Sequence, residues 1–73
     1  MSSGDGAAQR LRRAVTREGG SACARCFSWF GAPLIRIDHT LALFRGGHDL
    51  DSNVQTLCVD CHRMKSKAER SLV

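Results

Sequence analysis

Two C-x-x-C pairs constrain this chain more than anything else in it: Cys23 with Cys26, then Cys58 with Cys61, separated by residues 27–57. Two such pairs closing on one tetrahedral ion is a common zinc arrangement, in which the metal supplies folding free energy outright. A chain of 73 residues needs that staple, because it makes one domain at most and leaves much of its surface wet. The rival uses of these cysteines are weaker. A thioredoxin-like pair wants a βαβ setting that this length cannot hold twice, and disulfides belong to oxidising compartments. The opening "MSSGDGAAQRLRR" carries no apolar segment of the secretory kind, and no run approaches the ~20 apolar residues of a membrane helix. A cytoplasmic setting without membrane contact is therefore expected, and it favours metal over disulfide.

The formal charge is +4 with neutral cysteines; four thiolates and one zinc dication lower it to +2. Distribution is more informative than the total. Arg10, Arg12, Arg13 and Arg17 crowd the first twenty residues, and Arg63, Lys65, Lys67 and Arg70 the last eleven. Basic segments at both ends suit a polyanion partner, although the same runs are also what the solvated faces of two helices look like.

Residues 1–6 are small and polar and read as a disordered start, leaving 7–73 as a single domain. Ala7, Leu11, Ala14 and Val15 recur at helical spacing, with Asp5 as a cap and Gly19–Gly20 as a stop, which predicts a helix over 7–18. "FSWFGAP" reads as a turn whose aromatics, Phe27, Trp29 and Phe30, are expected to pack rather than to stack on bases. "LIRIDH" alternates as a strand, with Ile35, Ile37 and His39 on one face and Leu34, Arg36 and Asp38 on the other. Residues 40–52 form a glycine-containing loop, "NVQTLC" a second short strand, and 59 to about 72 a second helix with its basic residues toward the end.

In chain order the sequence offers C-x-x-C, "IDH", "GG" with an asparagine six residues on, and "C-x-x-CH" followed by a lysine. That series resembles the HNH endonucleases of the ββα-metal type, common in phages, mobile elements and restriction systems. The resemblance spans roughly Leu11 to Lys67. It implies a small α+β fold: a ββα-metal core, made of a two-stranded hairpin plus a helix, stapled by one four-cysteine zinc site and preceded by an N-terminal helix. It makes His39 the first H, Asn53 the N and His62 the last H. Two positions depart from the family pattern: Ala42 stands where many relatives have a proline, and Phe27 where many have a glycine.

The chemistry gives these residues separate jobs. An imidazole titrates near working pH, so His39 can serve as general base toward water. The resemblance implies that Asn53 positions it by bridging the loop backbone. Asp38 and His62 can hold one divalent cation, Mg2+, Mn2+ or another transition metal, apart from the structural Zn2+. Successive residues on a helix lie about 100° apart, so Cys61 can face the zinc while His62 faces the cleft. The bland readings are a packed histidine at 39, a turn cap at Asp38, a loop residue at Asn53 and a spare zinc ligand at His62. His48 reads as a surface residue, and Asp49 and Asp51 as loop carboxylates.

The expected activity is metal-dependent hydrolysis of DNA phosphodiester bonds with weak intrinsic sequence specificity, leaving 5′-phosphate and 3′-hydroxyl ends by the resemblance. Arg12, Arg13, Arg45, Arg63, Lys65 and Lys67 are candidate phosphate contacts. A larger protein partner could supply specificity. The alternative is a zinc-stapled nucleic-acid-binding or adaptor module without catalysis.

Overall fold

The computed structural model describes residues 6–71. The expected cap at Asp5 and all of the expected disordered start except Gly6 lie outside the described residues. Helix α1 runs Ala7–Glu18 and stops at Gly19, whose amide donates to the Thr16 carbonyl. Its apolar stripe is the one the spacing predicts: Ala7 and Val15 are buried, and Leu11 and Ala14 half-buried.

After α1 comes a hairpin that the sequence reading did not anticipate. Strand β1 (Gly20–Ala22) pairs antiparallel with β2 (Trp29–Gly31), and the first cysteine pair forms the turn between them. At three residues each, these strands are too short to show a period of two. The expectation that the aromatics pack holds only for Phe30, which lies against the buried Cys23, Leu57 and Cys58. Phe27 and Trp29 are 80% and 64% exposed. Phe27 adopts φ 66°, in the left-handed region, within the turn.

Strand β3 (Ile35–His39) pairs antiparallel with β4 (Val54–Cys58), and helix α2 (Val59–Arg70) follows β4 without a spacer. The register sets Ile35 opposite Cys58, Asp38 opposite Gln55 and His39 opposite Val54. Both helices pack on this hairpin. Together β3, β4 and α2 form the ββα unit expected from the sequence, with α1 and the β1–β2 hairpin beside it.

The core is small. Ile35, Leu57 and Cys23 are the largest fully buried side chains among the described residues, and two of the seven buried apolar residues are cysteines. Burying an Ile or Leu contributes about 1.5–3 kcal/mol, so two of them do little against the ordering of a whole chain. The cysteine cluster therefore sits where a staple is needed. Among the described residues no helix is long and apolar enough to cross a membrane.

Candidate active site

The two cysteine pairs converge. The sulfurs of Cys23, Cys26, Cys58 and Cys61 all lie within 4.8 Å of one another, and the four are arranged to hold one metal ion. Tetrahedral thiolates at a Zn–S distance of about 2.3 Å stand about 3.8 Å apart, so this donor set fits zinc. Each pair is shaped by its own backbone. Cys23 Sγ accepts from the amides of Arg25 and Cys26, and Cys58 Sγ accepts from Cys61 N. Burial opposes ionisation of Cys23, but amide donors from Cys26, Cys58 and Arg25 outweigh it and lower its pKa to about 6. The hydrogen bond with Cys58, and then burial, raise Cys61 to about 12. Cys58 also caps α2, so the last residue of β4 fixes both the cluster and the direction of the helix.

The first pair is tied to β4 as well. Ala24 N donates to Thr56 O at 2.8 Å, and Thr56 Oγ1 donates to Ala22 O at 2.7 Å. A metal ion at the cysteines would thus lock together the β1–β2 hairpin, β4 and the start of α2.

One residue past Cys61, His62 turns away from the cluster toward the end of β3. Its Nε2 lies 3.8 Å from Asp38 Oδ1. Two ligands each about 2.1 Å from one ion can stand up to about 4.2 Å apart, so these two atoms fit a shared cation. The other carboxylate oxygen is already engaged: Asp38 Oδ2 accepts from Gln55 Nε2 at 3.0 Å and pairs with Lys65 Nζ at 3.1 Å. Lys65, expected at the DNA backbone, is thus turned inward. It also donates to the His39 carbonyl at 3.1 Å and to Glu69 at 2.6 Å. Burial works against its charge, but the hydrogen bonds to Glu69 and Asp38 prevail and raise its pKa.

His39 lies on the other side of the strand end from Asp38, as alternation requires. Asp38 meets α2, whereas His39 Nε2 donates to Asp49 Oδ1 at 2.8 Å, across the loop. The carboxylate can only accept, so Nε2 carries a proton, and in the neutral ring Nδ1 is the nitrogen with the free lone pair.

The loop that brings Asp49 back to His39 is clasped by Asn53. Asn53 Oδ1 accepts from Leu41 N at 2.8 Å, and Nδ2 donates to the carbonyls of Leu41 and His48 at 3.0 and 2.8 Å. The ladder extends one step beyond β3 through Thr40 N to Asn53 O. Gly47 completes the clasp, since a Cβ there would overlap the Leu41 carbonyl. Asn53 spends five hydrogen bonds on holding this loop: three from its side chain, one at its carbonyl and one from its own amide to Leu50 O.

Asp49 is the neighbour of His39 that the sequence reading passed over as a loop carboxylate. The hydrogen bond from His39, then one from the Ala8 amide, hold its carboxyl below the usual range. The available signal was topological: pairing of residues 39–40 with 53–54 folds the intervening loop back over the strand end. His48 is exposed.

The basic residues divide. Arg12 is turned inward, donating to Ala32 O at 3.3 Å and to Ile35 O at 2.5 Å, so its guanidinium joins α1 to the start of β3. Arg13, Arg45, Arg63 and Lys67 are exposed; Arg63 reaches Asp60 only at 4.0 Å.

A family model described as HNH endonuclease matches residues 21–68, from β1 to near the end of α2. No curated protein and no solved structure matches the chain significantly. The matched span contains the four cysteines, the paired strands and every residue of the His39, Asn53 and His62 series, and on that span the chain belongs to the HNH endonuclease family.

Proposed function

We propose that this protein is a metal-dependent endonuclease that hydrolyses DNA phosphodiester bonds, with His39 as general base. The observation that carries the reading is the strand end itself: adjacent residues Asp38 and His39 diverge, one to His62 on α2 and the other into the loop clasped by Asn53.

In this reading the cysteines hold a structural zinc, and Asp38 Oδ1 with His62 Nε2 hold a separate divalent cation. Bound there, that cation would supply charge neutralisation at the scissile phosphate and its leaving oxygen. The protein's own residues do the rest. His39 carries its proton on Nε2, so Nδ1 is the basic nitrogen that takes a proton from water. Asn53 keeps the loop beside the ring in one shape, which limits the positions His39 can adopt. Gln55 and Lys65 hold the Asp38 carboxylate by one oxygen and leave the other directed at His62. Arg13, Arg45, Arg63 and Lys67 are the candidate phosphate contacts. The fold is too small to spare an element for reading bases, so sequence specificity is weak.

The test is incubation of zinc-loaded protein with supercoiled plasmid, with and without Mg2+, Mn2+ or Ni2+. Cation-dependent nicking, lost in Asp38→Ala and in His62→Ala while zinc content stays at one per chain, is the expected result. Salt-sensitive DNA binding with no cleavage under any cation would replace this reading with that of a non-catalytic DNA-binding module.

A further inference from the structure

Helix α1 lies outside the span that the family model matches, yet it meets the site. Its first turn has no side-chain cap of its own: Gly6 occupies the N-cap and can offer none. The orphan amides of a helix start need acceptors, and a carboxylate serves them best because it also complements the helix dipole. Here the acceptor comes from 41 residues away, where Asp49 Oδ1 accepts from Ala8 N at 3.0 Å. The same oxygen accepts from His39 Nε2 at 2.8 Å. One carboxylate oxygen therefore joins the start of α1 to the imidazole.

Two further contacts link α1 to the elements around this junction, the first on the surface and the second half-buried. Arg10 pairs with Asp51 at 2.9 Å, on the same loop as Asp49. Arg12 anchors the next turn of α1 to β3 through Ala32 and Ile35. Gly6 itself is packed so closely that a Cβ would overlap Asp49 Oδ2.

We propose that Asp49 is a positioning residue for His39, fixing the ring with its proton on Nε2, and that α1 takes part in the active site by holding Asp49 in place. The proposal deepens the nuclease reading and rests on it for its catalytic consequence. An imidazole bonded at one nitrogen keeps one tautomer and one orientation, which presents the other nitrogen to water as a base; a free ring samples others.

The test uses zinc-loaded protein uniformly labelled with 15N, compared with Asp49→Ala and Gly6→Ala. The second variant displaces the carboxylate without altering either partner of the hydrogen bond. In the wild type, the His39 Hε2 proton should be resolved and slow to exchange with water. Both variants should lose it, and the Ala8 amide should exchange about five- to tenfold faster, as befits one lost hydrogen bond. Zinc content and the other amide signals should stay put. Plasmid cleavage should fall about 10²-fold in kcat with KM little changed, the signature of misaligned chemistry rather than lost binding.

An Hε2 signal that survives in Asp49→Ala overturns the proposal, as does wild-type kcat in a variant that has lost it. A wild-type protein that cuts nothing overturns the nuclease reading and the catalytic half of the proposal, while the Hε2 signal still decides the coupling of α1 to His39.

Discussion

Phe27 is the one non-glycine among the described residues with positive φ, and its side chain is 80% exposed, so nothing is gained from packing it. The left-handed conformation costs a side-chain-bearing residue about 1–2 kcal/mol, against about 0.5–1 kcal/mol of extra backbone entropy that a glycine must give up. The first figure is the larger, so Phe27→Gly should stabilise the zinc-loaded protein by about 0.5–1 kcal/mol, a rise of a few degrees in Tm. A lower Tm on thermal unfolding would mean that the ring has a partner among the chain's own residues. Of the proposed site residues, Asp38, His39, Asn53 and His62 stand out in the sequence because each is a reactive or hydrogen-bonding type at a spacing that the family resemblance fixes. Asp49 was not, because its two partners, Ala8 and His39, come from elements that no local pattern connects. The inward turn of Arg12 and Lys65 was hidden for the same reason: a basic residue on a helix looks alike in sequence whether it meets water or a carbonyl.

Among the elements, α1, α2, β3 and β4 announce themselves by apolar period and by their glycine, proline and cysteine boundaries, whereas β1 and β2 are defined only by pairing with each other across a cysteine turn. The docking of α1 depends on polar contacts as much as on its narrow apolar stripe. Arg12→Met keeps the stem and removes the hydrogen bonds to Ala32 O and Ile35 O, and should cost about 1.5–3 kcal/mol, the usual range for bonds from a charged donor. It should leave the salt dependence of DNA binding unchanged, which separates a structural arginine from a phosphate contact. The pH dependence of this docking has a definite sign. Asp49 ionises below its ordinary value of 3.8 in the folded chain, so its contribution is complete above that value and is lost only as pH falls through the lower folded one. Protection of the Ala8 amide, its exchange compared with that of an unfolded chain at the same pH, should therefore persist down to about pH 4 and be lost below it. Loss of protection already between about pH 6 and 5 would show that another group holds the helix.

For the molecule as a whole, the small core and the converging cysteines make one prediction together. Cys58→Ser takes one sulfur from the four-cysteine cluster while leaving a hydroxyl that can still cap α2, and should leave the chain unfolded or without a cooperative melting transition; an unchanged Tm would contradict a structural metal at this cluster. Exposed Arg63 and Lys67 should behave differently from Arg12. Replacing either with alanine should weaken DNA binding uniformly across sequences and reduce the slope of log K against log salt by about 1. What the fold achieves at this size is a division of labour: the cysteines, arranged to hold one metal ion, gather at the start of α2, α2 brings His62 to Asp38, and the loop clasped by Asn53 brings Asp49 to His39.

The most direct measurement of that account compares DNA binding and DNA cleavage by the wild type and His39→Ala, both zinc-loaded and supplied with the same divalent cation. The account predicts equal affinity and an unchanged fold, with cleavage reduced by about 10²–10⁴, the usual contribution of a general base. Near-normal cutting by His39→Ala would contradict it and remove His39 from the mechanism.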